Sequence, residues 1–367
     1  MEWLLAVTAL GLLYPYVLYP LLLAAASRGF ERGPASAQAD PPSIGILVSA
    51  FNEENRIREK IVNFNALDYP RDRLELWIGT DGSTDRTAQV IQELANPRIH
   101  LVERPARNGK TAVLNDLASR AQTDLLVFTD VNALFRPDAL QRLAAATADP
   151  TVGLVSGRTV IRAGNGQVEV EGAYYRLESW LKAREGACGW VAGADGAIYA
   201  LRANLYQYLP PEWINDLVHP CQVVASGFKA RLEPLAISEE AAGEDAGREF
   251  DRQTRITAQA CYLLAMQSGP LLRNGCWGML WVLASHKWLR WIAGLWILIG
   301  LLALAALSAP LALAAVGAML LLALGWRAGA RWASLPIYFL LIHLAYLRGL
   351  FQALAGERYV TWKPRAG

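Results

Sequence analysis

Two carboxylates in the first half of the chain stand directly after apolar runs. Asp81 follows LELWIGT, and Asp130 follows LLVFT. Asn132 comes two residues after Asp130, at the place where a second carboxylate would complete an Asp-x-Asp pair. Because Mg²⁺ and Mn²⁺ take oxygen ligands, and the Asn carbonyl oxygen can be one of them, this stretch predicts a divalent-cation site with one neutral ligand. A carboxylate that only ends a buried strand is the alternative.

The elements that would position these acids alternate along the chain from residue 44 onward. The runs IGILVSA, LELWIGT, IHLVE and LLVFT are typical of buried strands, and the segments between them show helical spacing. This alternation predicts an α/β domain with a mainly parallel central sheet. Ligands of such sheets lie at the carboxyl ends of the strands, so Asp81 and Asp130 are both expected at the ligand-binding edge.

Two uncharged apolar stretches are long enough to cross a lipid bilayer. Residues 3–27 contain no charged side chain, and neither do residues 291–326. Because about 20 apolar residues span a bilayer, residues 1–27 predict one transmembrane helix and residues 291–331 predict two. A cleaved signal peptide is the alternative at the N-terminus, but the apolar run is too long and no basic cluster precedes it.

Basic residues flank these apolar stretches, with Arg28 after the first and Lys287 before the second. Positive residues stay on the cytoplasmic side, so the intervening segment is expected in the cytoplasm and the chain in the inner (cell) membrane. Within this segment, residues 28–42 are typical of a Pro- and Ala-rich linker, and residues 43–270 are predicted to form the α/β domain.

Two further segments are predicted to lie at the membrane surface. In residues 271–290, tryptophans form one helical stripe beside basic residues, which is typical of an amphipathic interfacial helix. In the last segment, 332–367, the apolar run covers only residues 332–347. At about 1.5 Å per residue it reaches about 24 Å, short of the ~30 Å hydrocarbon core. This length favours a re-entrant or interfacial helix followed by a cytoplasmic tail.

Composition and spacing argue against several classes of protein. The formal net charge of +2 gives no reason to expect a nucleic-acid partner. The four cysteines are widely spaced and include no CxxC pair, so neither a zinc site nor a disulfide framework is indicated. No GxGxxG or GxxxxGK[ST] motif occurs, which disfavours dinucleotide-binding and P-loop enzymes. A transporter is also disfavoured, because His343 is the one ionisable residue within the apolar segments.

A series of short motifs along the chain resembles those of membrane-bound family 2 glycosyltransferases, the group that contains cellulose, chitin and hyaluronan synthases. The motifs are VSAFNEEN, DGSTD, NGKTAVLN, FTDVNA, GADGAIYALR, INDLVHP and DRQTRI. The resemblance covers residues 43–291, and the closing segments ASHKWLRW and WKPR are similar to those of a bacterial subgroup. It implies a GT-A fold, the fold of nucleotide-diphospho-sugar transferases, and sugar transfer from a nucleotide donor.

The resemblance implies roles for four residues around the donor. Asp81 matches the position that hydrogen-bonds the base, and Glu53 is expected to reach the ribose or base. Lys110 matches a lysine that stabilises the phosphates as a point charge. Asp195 lies in a region used near the donor sugar and the acceptor. The alternatives are a helix-start acid for Glu53, a solvated surface lysine for Lys110 and a turn cap for Asp195.

The same resemblance assigns the metal and the chemical step. Asp130 would face ribose and metal, and Asn132 would face the metal, Mg²⁺ or Mn²⁺; a degenerate site is the alternative. Asp216 matches the acid that acts as general base toward the acceptor hydroxyl, with a helix cap as its alternative. Arg255 keeps an arginine of the family that stabilises the leaving diphosphate, whereas Arg252 stands in the place of a glutamine.

The sequence therefore predicts an inverting, metal-dependent hexosyltransferase that uses a nucleotide-diphosphate sugar, expected to be a UDP-sugar. Its acceptor would be membrane-associated, either a lipid-linked sugar or a growing glycan. A processive polysaccharide synthase is one alternative, although Ile256 stands where such enzymes have a tryptophan. A catalytically decayed subunit of a polysaccharide assembly complex is another, and other export or biosynthesis subunits are considered as partners.

Overall fold

The computed structural model describes residues 2–29, 40–94, 96–162, 173–241 and 246–357. The chain divides into two compact units. The first, called the sheet unit, contains Ala26–Gly243 and Met266–Leu280, and the second, called the helix unit, contains Met1–Ala25, Glu244–Ala265 and Trp281–Arg358. Most of the predicted linker 28–42 and the C-terminal tail from residue 358 lie outside the described residues.

The helices and strands are numbered in chain order. The helices are α1 Glu2–Leu13, α2 Tyr19–Ser27, α3 Ile57–Asn65, α4 Thr87–Leu94, α5 Lys110–Arg120, α6 Ala139–Ala146, α7 Ala173–Cys188, α8 Asn215–Ala225, α9 Ala246–Arg273, α10 Trp277–Val282, α11 Leu289–Trp291, α12 Ala293–Leu307, α13 Ala309–Arg327 and α14 Arg331–Leu354. The strands are β1 Ile44–Ala50, β2 Leu74–Asp81, β3 Ile99–Arg104, β4 Leu125–Thr129, β5 Leu134–Phe135, β6 Val152–Arg162, β7 Tyr199–Arg202 and β8 Lys229–Ala241.

The sheet unit is built on one mixed sheet with the strand order β3-β2-β1-β4-β7-β6-β8-β5. The strands β3, β2, β1 and β4 run parallel, whereas β7 is antiparallel to both β4 and β6. Every residue of β1 and of β4 is buried, because helices cover the sheet and a strand buried on both faces needs no polar alternation. The predicted α/β class is confirmed. Asp81 and Asp130 both lie at the parallel half of the sheet.

The strand order reverses at β1, and in parallel sheets such a reversal leaves a crevice at the carboxyl ends of the adjacent strands, here β1, β2 and β4. β1 lies between β2 and β4, with Ala50 opposite Thr80 and Val48 opposite Thr129. The chain crosses from β1 to β2 on one side and reaches β4 on the other. Ligands of parallel sheets bind at such a reversal of strand order. The fold therefore predicts ligand binding at the edge where Asp81 ends β2 and Asp130 follows β4.

The loops after β1 and β2 are joined by side-chain hydrogen bonds. Asn52, in the left-handed region with φ 54°, accepts the Thr84 amide through Oδ1 at 2.8 Å. The backbone amide of Glu53 donates to Thr87 Oγ1, also at 2.8 Å. These bonds hold the FNEEN and DGSTD segments together as one rim of the crevice.

Most residues of the helices that are long and apolar enough to cross a membrane belong to the helix unit. These helices are Glu2–Ser27, Ala309–Arg327 and Trp332–Leu354, and the bent pair Trp277–Trp291 with Ala293–Leu307 passes the same test together. Within the unit, α1 lies against α12, and a Cβ added at Gly11 would meet the Trp296 indole at 2.8 Å. Glycine thus permits a close approach of two apolar helices.

Two boundaries differ from the sequence-based expectation. The segment Glu244–Ala265 belongs to the helix unit, although it falls within the predicted 43–270 domain. The last helix, α14, continues past Arg348 to Leu354 and is 24 residues long, so the short length inferred from the apolar run 332–347 does not describe it. Within the predicted interfacial segment 271–290, α9 ends at Arg273, and the helix Trp277–Trp291 that follows is bent by 51° relative to Ala293–Leu307.

Candidate functional site

Asp81 holds the loop that leads to Lys110. Its side chain is fully buried at the end of β2, and its two oxygens accept the backbone amides of Asn108 at 2.7 Å and Gly109 at 3.0 Å. Gly82 follows with φ +69°, and a Cβ added there would lie 3.0 Å from the backbone nitrogen of Arg107. A carboxylate that accepts two amides fixes a short loop firmly, because both bonds are charge-assisted.

Lys110, the first residue of α5, forms an ion pair with Asp130. Its Nζ lies 2.6 Å from Asp130 Oδ1, and both side chains are partly exposed. Burial alone would lower the pKa of Lys110, but the nearby Asp130, Asp216 and Glu240 carboxylates outweigh it and raise the pKa. Lys110 therefore keeps its positive charge at the crevice and is not the solvated surface lysine of the alternative interpretation.

Asp130 begins a tight turn that also carries Asn132. The Asp130 carbonyl oxygen accepts the Ala133 amide and the Thr129 hydroxyl, each at 3.3 Å. Among the residues that the structure describes, no group of three or more His, Cys, Asp or Glu side chains could hold a metal ion. One carboxylate and one amide oxygen fit a hard cation that takes its other ligands from a diphosphate and water.

Asp216 lies in the first turn of α8 and packs against Gly196. A Cβ added at Gly196 would lie 2.7 Å from Asp216 Oδ2, so a glycine is required for the carboxylate to keep its position. Burial raises the pKa of Asp216; Lys110 and Lys182 oppose this effect, and Asp130 and Asp195 add to it. The raised pKa makes Asp216 a stronger base than a solvated aspartate.

Glu53 belongs to the same group of charges. Burial raises its pKa, the nearby Arg56 opposes this effect, and Asp130 and Asp85 add to it. Asp130 thus interacts electrostatically with Glu53, Lys110 and Asp216. These residues come from four separate stretches of sequence, and the fold brings them to one edge of the sheet.

Asp195 caps a turn beside this group. Its carboxylate accepts the Thr159 amide and hydroxyl, each at 2.8 Å, and the Ala197 amide at 3.1 Å. The Asp195 amide in turn donates to Ser156 Oγ. The geometry supports the turn-cap interpretation, and this turn sets the position of Gly196.

Arg252 and Arg255 lie on α9, in the segment that belongs to the helix unit. The other predicted site residues belong to the sheet unit. The roles of the two arginines therefore stay predictions.

A buried polar network under α8 was not predicted from the sequence. Asn215 donates to the Tyr199 hydroxyl, which also bonds to His219 Nδ1 at 3.0 Å, and Phe128 stacks on Tyr199 at 4.7 Å. Burial lowers the pKa of His219 to about 3, so the ring is neutral. The network anchors the helix turn that carries Asp216; its only sequence signal is the placement of Asn215 and His219 beside that acid.

Part of the chain matches the model of a known protein family. Residues 45–196 match the model of the family described as glycosyl transferase family 2. This segment is therefore similar to a family 2 glycosyltransferase domain. The matched segment includes Glu53, Asp81, Lys110, Asp130 and Asp195, and it ends at Gly196.

Two relatives illustrate the range of related enzymes. The β-monoglucosyldiacylglycerol synthase of Synechocystis sp. is 32% identical over 161 residues, which cover 42% of this chain and 34% of the relative. An N-acetylglucosaminyltransferase of Rhizobium leguminosarum is 26% identical over 235 residues, covering 58% of this chain and 54% of the relative. The chain thus spans about a third of the first relative and just over half of the second.

The fold of the chain is similar to that of a solved mannosyltransferase. The protein is PcManGT from Pyrobaculum calidifontis, in complex with GDP-Man and Mn²⁺. The superposition covers 96% of this chain and 99% of that structure, with a TM-score of 0.72 and 22% identity. At this identity the likeness shows the fold alone, which is GT-A with apolar helices.

Proposed function

We propose that the chain is an inverting glycosyltransferase that moves a sugar from a nucleotide-diphosphate donor, a UDP-sugar, to a membrane-associated acceptor. The observation that carries this proposal is the grouping of a raised-pKa acid, Asp216, with the Lys110–Asp130 pair at the carboxyl edge of the sheet. Such a group offers a base to the attacking hydroxyl and a cation to the leaving diphosphate in a displacement at an anomeric carbon.

Donor binding uses the residues around the switch point of the sheet. Lys110 binds phosphate oxygens, Glu53 faces the ribose or base, and Asp81 serves the nucleotide side through the loop that it holds. Asp130 and Asn132 would hold Mg²⁺ or Mn²⁺, which offsets the charge of the diphosphate when bound. The presence of GDP-Man and Mn²⁺ in the similar mannosyltransferase supports a nucleotide sugar and a divalent metal.

Asp216 accepts the proton of the acceptor hydroxyl. As the hydroxyl oxygen bonds to the anomeric carbon, the bond from that carbon to the diphosphate breaks, and the proton passes to the Asp216 carboxylate. A single displacement of this kind inverts the anomeric configuration and needs no covalent nucleophile. Arg255, and secondarily Arg252, are proposed to stabilise the charge of the leaving diphosphate.

The acceptor is proposed to be a lipid or a glycan held at the membrane. One relative is named for a glycolipid product, and other relatives from Staphylococcus aureus are named poly-β-1,6-N-acetyl-D-glucosamine synthases. The helices that could cross a membrane support an acceptor of low water solubility. The sheet unit is proposed to face the cytoplasm, where nucleotide sugars are made.

The test is nucleotide release by the purified full chain in detergent. UDP-glucose, UDP-N-acetylglucosamine and GDP-mannose would each be supplied with Mn²⁺, with Mg²⁺ and with a chelator. We expect release from a UDP-sugar only when a divalent metal is present. A chain that neither binds UDP nor releases it under any of these conditions would instead be the decayed subunit.

A further inference from the structure

Lys60 is a buried lysine on the inner face of α3. It is 2% exposed, and its neighbours on that face, Ile57, Ile61 and Phe64, are packed into the core of the sheet unit. Lysine is almost never fully buried unless its amine is paired, because removing an unpaired polar group from water is unfavourable. The amine of Lys60 must therefore have specific partners.

These partners lie on both sides of the turn that carries the predicted metal ligands. Lys60 Nζ donates to Thr129 Oγ1 at 3.0 Å, immediately before Asp130, and to the carbonyl oxygen of Ala133, immediately after Asn132. The amine also lies 4.6 Å from the centre of the Phe135 ring. One side chain thus joins the two ends of a three-residue segment.

The helix that carries Lys60 is a fixed support. Asn63, on the same helix, donates to the Phe135 carbonyl at 2.8 Å and accepts the Phe135 amide at 2.9 Å. α3 therefore contacts the chain at β5 through Asn63 and at the preceding turn through Lys60. Besides Lys60, the described contacts that hold this turn are the two long hydrogen bonds to the Asp130 carbonyl oxygen and the ion pair of the Asp130 carboxylate with Lys110.

We propose that Lys60 is a positioning residue that holds the Asp130–Asn132 turn in the geometry needed for metal and diphosphate. The inference rests on the proposed function. Groups that orient metal ligands from behind typically change metal affinity by about 10- to 100-fold when removed. Two N–H donors suffice for Thr129 and Ala133, so the positioning is the same for the ammonium and for a neutral amine.

The pKa of Lys60 reflects its burial. Burial lowers its pKa to about 7, while the nearby Asp130 and Glu240 carboxylates oppose that effect. A lysine that served only to fill space could be replaced by methionine at little cost. The alternative, a purely structural lysine, predicts lost stability with unchanged metal binding.

The test compares three variants of the full chain in detergent. Lys60→Met removes the amine and keeps the side-chain length, and Thr129→Val removes one partner and keeps the shape. Arg202→Met is the matched control, because Arg202 donates to the carbonyl oxygens of Val152, Thr147 and Asp149 at another place in the sheet unit. Mn²⁺ binding in the presence of UDP, measured by electron paramagnetic resonance and calorimetry, is the main readout, beside Tm.

We expect Lys60→Met to raise the Kd for Mn²⁺ by about 10-fold or more and Thr129→Val to raise it less. Arg202→Met should lower Tm and leave that Kd unchanged. If Lys60→Met loses only stability, as the control does, the positioning role is overturned. If Lys60→Met does not fold, an unchanged Kd in Thr129→Val overturns it. Wild-type protein that binds no UDP with Mn²⁺ would overturn the proposed function, and the inference with it.

Discussion

At the scale of single residues, the surroundings of Asp216 decide how it can act. Burial raises its pKa, and Lys110 and Lys182 limit the rise, so the group is a basic carboxylate. Because Gly196 has no Cβ atom, the Asp216 carboxylate can lie close to its backbone. Position and basicity thus come from residues on the loop before β7 and on helices α5 and α7. The effect of each contact on the position or the basicity of Asp216 can be tested separately.

Gly196→Ala should impair catalysis with little loss of stability. The new Cβ would meet Asp216 Oδ2 at 2.7 Å, and the end of a side chain can rotate away at small cost. A misplacement of about 1 Å at a reacting group can cost about 100-fold in rate, so we expect kcat to fall by that order. Steady-state turnover and Tm measure the two effects.

Gly193→Ala is the matched control in the same loop. Its new Cβ would have Leu217 Cδ1 at 3.8 Å as its nearest neighbour, which is an ordinary contact. This variant should keep wild-type turnover. Equal activity of the two alanine variants would show that the Gly196 contact does not set the position of the base.

The raised pKa of Asp216 predicts the acid side of the pH profile. The base acts when ionised, so kcat should fall as the pH drops through a pKa above the ordinary value of 3.8. Lys110, whose pKa is raised, stays cationic through neutral pH and does not limit this range. A turnover profile that stays flat down to pH 4 would contradict the assignment.

The same shift has a consequence for stability. A fold that raises the pKa of an acid favours its protonated form, so this contribution is present below the unfolded pKa and lost as the pH rises through the folded one. Asp216→Asn should therefore be at least as stable as wild type at pH 7, and the difference should shrink in acid. Thermal unfolding at several pH values measures it.

The residues that a motif names directly are the part of the site that the sequence can predict. Motifs named Asp130 and Asp216, and the structure brings the two carboxylates close enough to interact electrostatically. The contact of Gly196 with Asp216 and the influence of Lys182 on its pKa could not be predicted, because they depend on the packing of α7 and α8. Lys60 had a weak signal: three residues after Ile57 and four before Phe64, it falls on the apolar face of its helix.

At the scale of elements, the loop between β3 and α5 links the nucleotide side of the site to Lys110. Asp81 fixes this loop through the amides of Asn108 and Gly109, and α5 begins at the next residue. The direction of the Lys110 side chain toward Asp130 therefore depends on a carboxylate on a different strand. Loosening the loop should affect binding more than the chemical step.

Asp81→Asn should weaken nucleotide binding. An amide can accept from one of the two backbone N–H groups, and a buried donor left unpaired costs about 1–3 kcal/mol of stability. We expect a lower affinity for UDP with Mn²⁺, measured by calorimetry. Asp124→Asn is the control: Asp124 accepts the Ser43 amide and hydroxyl just before β4, at the opposite edge of the sheet, and its loss should leave UDP affinity unchanged. The same affinity in both variants would contradict a role for the loop.

The strands next to the acids were predictable because each is a continuous apolar run in the sequence. β1, β2 and β4 are apolar runs that end at turn or acidic residues, and the structure confirms them. The pairing of β7, β6, β8 and β5 was not predictable, since it joins residues as far apart as Phe135 and Ser238. Only the packed fold determines such long-range register.

At the scale of the whole molecule, the chain combines a sheet unit that carries the acids with a helix unit of apolar helices. Hydropathy predicted the apolar segments at both ends of the chain, and within the described residues three helices meet the length and composition needed for a membrane span. Hydropathy did not predict that α14 continues to Leu354, because Arg348 interrupts the apolar run without ending the helix. Backbone hydrogen bonding carries a helix past one charged residue.

The product should contain one added sugar for each acceptor. A processive enzyme has to line an export path with helices, and the described part of the chain offers three helices that could cross a membrane, or four with the bent pair. Mass spectrometry of products made in lipid vesicles or nanodiscs measures the length. A ladder of long chains would contradict single transfer and favour the processive alternative.

The central claim is that Asp216 removes the acceptor proton at a site that binds the donor independently of it. The most direct measurement compares wild type and Asp216→Asn in two assays: calorimetric binding of UDP with Mn²⁺, and turnover with the UDP-sugar that the wild type uses. The account predicts nearly equal affinities and a turnover lower by about 100- to 10,000-fold. Equal loss of binding and turnover, or a variant that keeps its turnover, would contradict it.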